Sequence, residues 1–285
     1  MCPEADEQDV GGDRRWNIIG NLALNKLLFV ITGMLALVVA AAGLMNPKMY
    51  DPVVRAQIMP GVFTQDLLVV VAAILMIVLA VQMRPNDYRK AVVIFGILGF
   101  FFYAYGIYAI EQVYTALYLL YLAILALSFY ALVYGLSSLN RSAIESLELS
   151  PAVRYGAAAY AVFIAVMFNF IWIARLIPLL RAGNRIEYTF SVFIIDLVFI
   201  MPAFVIAAVM AVRRQALGVV GLPALFVLGA GILSPLALAE VLKPSRYGMP
   251  TDPAEFWLYG TLSLVFLTLA ILYLMALKPA KPSGA

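Results

Sequence analysis

The chain has 285 residues, 65% of them hydrophobic and only 12% charged, with 19 Lys and Arg against 16 Asp and Glu. A soluble domain is closer to half apolar and a quarter charged, so this balance excludes an ordinary globular protein, and no basic stripe suits nucleic acid. The chain has no histidine and a single cysteine, which removes histidine-ligated haem, histidine metal sites and histidine proton relays, and leaves Cys2 without a disulfide or CxxC partner.

The first stretch is polar and acidic (Glu4, Asp6, Glu7, Asp9, Asp13). It lacks the basic start and apolar centre of a cleavable signal peptide. No apolar run precedes Cys2, so a lipobox does not fit either, and residues 1–25 read as a disordered polar tail.

After it, apolar blocks of about 20 residues recur, each matching a hydrocarbon core of roughly 30 Å at 1.5 Å per residue. Period-2 alternation is absent, and lipid offers no partner to free backbone groups, so the spans are helices. The fold class is therefore all-α, a polytopic transmembrane helix bundle. Eight spans are predicted at 26–45, 67–83, 91–110, 116–136, 155–175, 190–212, 219–239 and 257–277. Spans three and four are separated by little more than Glu111 to Thr115, which predicts an antiparallel hairpin. The runs from Arg84 to Lys90 and from Arg213 to Gly218 are similarly tight; longer connections cover 46–66, 137–154, 178–189 and 240–256.

Basic residues set the orientation. One side of the bundle carries Lys48, Arg55, Arg175, Arg181, Arg185, Lys243 and Arg246, and the side of the termini carries the rest of the 19. The positive-inside rule then puts both termini in the cytoplasm of an inner (cell) membrane.

A shift of the chain by 130 residues lays Asp66-Leu67 over Asp196-Leu197 and Arg84 over Arg214, and superposes spans one to three on five to seven. Such self-similarity is what duplication leaves. It divides the chain into a first four-helix half at 26–136, a linker at 137–154, a second half at 155–277 and a tail at 278–285. An even number of spans per unit makes the copies parallel, related by an axis along the membrane normal.

The stretch Pro60-Gly61-Val62-Phe63-Thr64-Gln65-Asp66, the glycine- and tyrosine-rich third span from Gly96 to Tyr108, and the run Asp196…Pro202…Arg213-Arg214 resemble a group of prokaryotic multi-pass membrane proteins with no settled function. The resemblance covers most of the membrane region. It implies eight spans and no particular activity, cofactor or catalytic residue.

The residues that could carry chemistry are few. Asp196 lies about 25 Å along the sixth helix from Arg213, near the outer edge of the hydrocarbon, where a carboxylate faces the bundle interior or a wet cavity. Its bland role is to cap or bond a neighbouring helix. Its sharper role rests on Pro202, which cannot donate to the carbonyl of Val198, so that a carboxylate and a freed carbonyl together offer oxygen ligands to a cation. Asp66 is the parallel case at the start of span two, where an acid also suits the helix dipole.

Glu111 and Glu240 close spans three and seven on the same outer side. A carboxylate at a helix C-terminus wants a cation, and Arg175, in the apolar stretch 170–180, is the candidate unless it snorkels to water. Tyr114, Tyr118 and Tyr121 share a helix face by spacing and suit an interfacial belt. Tyr103 and Tyr130 sit deeper, where a hydroxyl needs a partner, and Tyr103 could line an aromatic pocket for a cation. Span seven is interrupted by Pro223, Gly229, Gly231 and Pro235, and Pro235 frees the carbonyl of Gly231. Gly99 and Gly106 suit a packing stripe.

No HExxH, GxSxG, P-loop or GxGxxG occurs, so no catalytic residue, metal site or cofactor is assigned. The expected function is binding or transport of a small cationic or polar solute through an outward-facing cavity lined by Asp66, Glu111, Asp196 and Glu240. The alternatives are an intramembrane enzyme acting on a lipid or lipid-linked substrate, and a sensory or assembly subunit with no site. The expected partners are the bilayer and that solute.

Overall fold

The computed structural model describes residues 17–183 and 190–279. The acidic N-terminal stretch with Cys2, Arg185 and the end of the C-terminal tail lie outside the described residues. Eight helices among them are long and apolar enough to cross a membrane, so the chain is a multi-pass helical membrane protein. The α-helices in chain order are α1 (Leu22–Met45), α2 (Met59–Val81), α3 (Tyr88–Ile110), α4 (Tyr118–Ser137), a short α5 (Arg141–Glu145) that is not a span, α6 (Pro151–Ala182), α7 (Phe190–Ile195), α8 (Met201–Val212), α9 (Ala216–Leu242) and α10 (Pro253–Ala276). A π turn over Asp196–Ile200 joins α7 to α8, so the two make one span.

Capping residues start several of these helices. Asn21 accepts from the Leu24 amide at the head of α1, Ser150 from Val153 at α6, and Asp252 from Ala254 and Glu255 at α10. The last two are followed by proline at the first helical position, where a missing N–H removes nothing. Between α2 and α3 the Asp87 carboxylate accepts from the Arg84 amide at 2.9 Å and from Lys90 at 2.8 Å, closing the tight turn.

Several predicted boundaries are corrected. The fifth span runs on through Arg175 to Ala182, with Pro178 inside it. The connection at 137–154 holds α5 and a two-residue strand, β1 (Leu147–Glu148), which pairs antiparallel with β2 (Lys278–Pro279). Span seven is not broken: α9 is continuous, with Pro223 and Pro235 inside it. The sixth span does adjust. The Met201 amide bonds to the Asp196 carbonyl, five residues back. Tyr130 is 66% exposed on the outer surface and needs no internal partner.

Both described ends lie on one face of the bundle. The Ile18 amide donates to Pro85 at 2.8 Å, Ile19 bridges Leu139, and β1 holds β2. The second, fourth and sixth connections therefore share a face with the termini, as an even number of spans requires.

Two helices are central. About seven-tenths of the spanning windows of α3 and α9 are buried (72% and 67%), against 11% for α6 and 17% for α10. They pack on each other, with α1, α2 and α4 on one side and α6, α8 and α10 on the other. Neighbours repeat across that seam: α1 on α2, α3 on α4 and α1 on α4 in the first half; α6 on α8, α9 on α10 and α6 on α10 in the second. The buried apolar residues fall into two clusters, a larger one mainly from α1 to α4 that also takes in Val219, Val220 and Ala224 of α9, and a smaller one mainly from α6 to α10 that takes in Tyr103 of α3. Side chains such as Leu27, Val38, Leu119 and Phe170 point outward as the surface that meets lipid.

Candidate functional site

The four acids meet different fates. Asp66, two turns into α2, is 2% exposed. Tyr50, from the turn after α1, donates to its Oδ2 at 2.8 Å, and Tyr108 of α3 donates to its Oδ1 at 3.2 Å. Gly43 of α1 leaves room for this arrangement; a Cβ there would lie 2.1 Å from Asp66 Oδ2. Tyr105 and Tyr121 complete a packed tyrosine cluster against Tyr108, and Thr115 donates to the Tyr121 hydroxyl at 2.9 Å. Asp66 is thus enclosed by neutral donors.

Glu111 and Glu240 are occupied as helix caps. Glu111 Oε1 accepts from the Ser191 amide at 2.9 Å and the Ser191 hydroxyl at 2.7 Å, which satisfies the N-terminus of α7 from another part of the chain. Glu240 pairs with Lys243 and accepts from the Asp252 amide at 2.9 Å, ahead of α10. The expected cation for these two acids was Arg175, and that assignment is corrected. Arg175 lies over the Trp172 ring, 5.4 Å from its centroid, while Lys243 serves Glu240 from one turn away. Because Glu111 holds the start of α7, Glu111→Ala is expected to destabilise the protein by about 1–2 kcal/mol, as loss of a cap does. Glu111→Gln, which keeps the accepting oxygen, should lose less; chemical denaturation in detergent compares the two.

Asp196 alone faces a cavity. A space of about 380 Å³ lies in the half of the bundle away from the described ends of the chain, between α2, α3 and α9 on one side and α6, α7 and α10 on the other. Its walls are mainly apolar and aromatic, among them Phe168, Phe193, Phe204 and Phe266; the polar groups are Gln65, Tyr103, Tyr108, Trp172, Arg175, Asp196 and Tyr259. Trp172 Nε1 donates to Asp196 Oδ2 at 2.8 Å, and the Tyr103 hydroxyl stands beside the same carboxylate. Among the described residues no Lys or Arg pairs with it. A carboxylate offers about four acceptor positions, so one indole donor and a neighbouring phenol leave it with unused capacity toward the cavity.

The shared acidic hollow expected from the sequence does not form. Asp66, Glu111 and Glu240 do not line the cavity. Tyr108 lines it and bonds Asp66, so Asp66 stands one hydroxyl behind the wall. Neither Val198 nor Gly231 lines it. The Val198 side chain is 59% exposed on the outside, and Gly231 packs on the Phe100 ring. Pro235 does line the cavity, and its carbonyl is met by the Thr64 hydroxyl at 2.8 Å. Ser234 donates at 2.7 Å to the Ala230 carbonyl, a turn earlier in α9.

Trp172 and Tyr108 are the site residues that sequence reasoning missed. A signal for Trp172 existed: Ile164, Phe168, Trp172 and Arg175 follow helical spacing and all four line the cavity. Among the described residues no group of three or more Cys, Asp or Glu could hold a metal ion. Comparison with known proteins finds no matching family model, no matching curated protein and no matching solved structure.

Proposed function

We propose that this protein binds, and moves across an inner membrane, a small solute with an apolar body and one cationic head, with Asp196 as the anchor. The observation that carries the reading is a buried carboxylate in an aromatic-walled cavity, bonded by the neutral donor Trp172 with the neutral Tyr103 hydroxyl beside it. Ionisable groups at this depth mark solute paths, and 380 Å³ is within the range of small-molecule sites. Aromatic faces favour a cation as well. Arg175 shares the wall and would repel a second positive charge, so the solute carries one.

The positive-inside bias puts both termini in the cytoplasm, and the cavity then lies in the outward half. The recurring helix neighbours support descent of 26–136 and 155–277 from one four-helix unit, with α3 and α9 at the pseudo-symmetry axis. The Asp66 position would then be the copy of Asp196 that Tyr50 has plugged.

An intramembrane enzyme would need a second acid–base group beside Asp196. The wall offers only phenol, indole and amide groups and a guanidinium there, which favours binding.

The test is a thermal-shift series on detergent-purified protein. Compounds of one apolar body carry an amine, a diamine, an alcohol or a carboxylate. The monoamine should stabilise most, the diamine and alcohol less, and the carboxylate not at all. Equal shifts across the series would overturn the reading.

A further inference from the structure

On the opposite face, with the termini, lies a larger cavity of about 970 Å³ at the head of α6. Ser150, Pro151, Val153 and Arg154 from the first turn of that helix line it, with Arg214, Lys278, Glu145 and Glu148 around them. Arg154 is the unusual group. It is 6% exposed, its Nε is sealed from solvent with no acceptor, and its side chain has no carboxylate partner among the described residues. Its described neighbours are the Tyr155 ring, 5.0 Å from its Cζ, and Tyr273, whose own buried hydroxyl also lacks a partner. One of the two acids is engaged otherwise. Glu145 accepts from the Ala216 amide at the head of α9, and Glu148 sits in register with Lys278 across the β1–β2 pair.

A buried guanidinium without an acceptor is costly unless something supplies one. Here it lines a space large enough for a ligand, beside the positive end of a 32-residue helix and two further cations. Guanidinium fork geometry matches phosphate oxygens. Leu272 and Met275 also line the cavity, and both are more than half exposed along the outer face of α10, where an acyl chain would run. We infer that the cavity around Arg154 binds a phosphate group, carried by an anionic phospholipid or free in solution. The site is separate from the Asp196 cavity and independent of what that cavity takes.

The full chain is tested in a neutral detergent and in nanodiscs of phosphatidylcholine with or without phosphatidylglycerol. Melting temperature and lipid retained in native mass spectra are the readouts; inorganic phosphate is compared with chloride at equal ionic strength. Wild type should melt higher and retain phosphatidylglycerol over phosphatidylcholine. Arg154→Gln should bind about tenfold more weakly, as loss of a charge-assisted pair implies, and Arg154→Lys should keep part of the effect. Stability of Arg154→Gln in phosphatidylcholine alone should match or exceed wild type, because an unpaired buried cation is gone. If that variant fails to fold, the exposed pair Arg214→Gln and Lys278→Gln reads the same loss. A response to phosphatidylglycerol alone assigns a lipid headgroup; a response to inorganic phosphate as well assigns free phosphate. The inference is overturned if neither probe differs from its control, or if the variants respond as wild type does.

Discussion

Asp196→Asn should abolish solute binding while leaving the empty protein at least as stable as wild type. The exchange keeps size and shape and retains an oxygen to accept from Trp172 Nε1, now 2.8 Å away. What it removes is the charge. Truncating one partner of a buried charged hydrogen bond costs about 2–5 kcal/mol, so affinity for a cationic solute should fall by roughly a hundredfold or more. Stability should move the other way or not at all. A buried carboxylate with only neutral donors has lost its hydration without gaining a counter-charge, and an amide in its place avoids that penalty.

The two measurements together separate a ligand anchor from a structural group. Were Asp196 merely a hydrogen-bond acceptor holding α6 to α7, Asn would leave amine binding within about twofold. Asp66→Asn is the matched comparison, since Asp66 is more deeply buried but enclosed by Tyr50 and Tyr108. It should disturb packing and leave binding within a few-fold. Isothermal titration with the best monoamine, beside thermal melts of all three proteins, checks this.

How much could be read in advance depended on which physical signal each feature leaves. The spans were legible because lipid demands an uninterrupted apolar length, and that demand is local in sequence. Which spans are central was not, because all eight are greasy and burial inside the bundle is decided by small residues and helix rotation. Gly96, Gly99 and Gly106 on α3 were the available hint, and the first two face α9 side chains. The proline breaks were overread: a proline weakens a helix, yet α9 stays continuous across Pro235, and the register changes instead at the π turns after Ile195 and after Leu242.

Among the four acids, sequence placed each at the end of the bundle away from the described ends of the chain but could not say where each pointed. Glu111 finds its donors on Ser191, far along the chain, and no local pattern announces that pairing. The convergence of four acids was the expectation that failed. Asp196 alone survived it, because its helix turns it toward Trp172 on a stripe that α6 directs inward.

Gly96→Ala should lower stability by about 1–3 kcal/mol, the range for overpacking a well-filled interior, or block assembly outright. An added Cβ would sit 2.4 Å from Val227 Cβ and 2.7 Å from the Ala224 carbonyl oxygen, whereas carbon atoms in contact settle at about 3.5–4.0 Å. Neither neighbour is the free end of a flexible side chain, so relief requires α3 and α9 to part. These are the two most buried helices, and their seam joins the two sets of neighbours. Inside a bilayer there is no hydrophobic gain to offset the gap, since lipid tails are as apolar as the residues they replace, and association depends on close contact. Gly156→Ala supplies the control. That glycine lies on exposed α6 with nothing within 4 Å of an added Cβ, and there alanine should stabilise by about 0.5–1 kcal/mol through helix propensity. Shrinking Val227 to alanine should rescue Gly96→Ala only in part, because the carbonyl of Ala224 and the Cβ at 227 both remain. Equal melting temperatures for Gly96→Ala and wild type would mean that the central seam can open freely, and the close α3–α9 approach would then carry no stability.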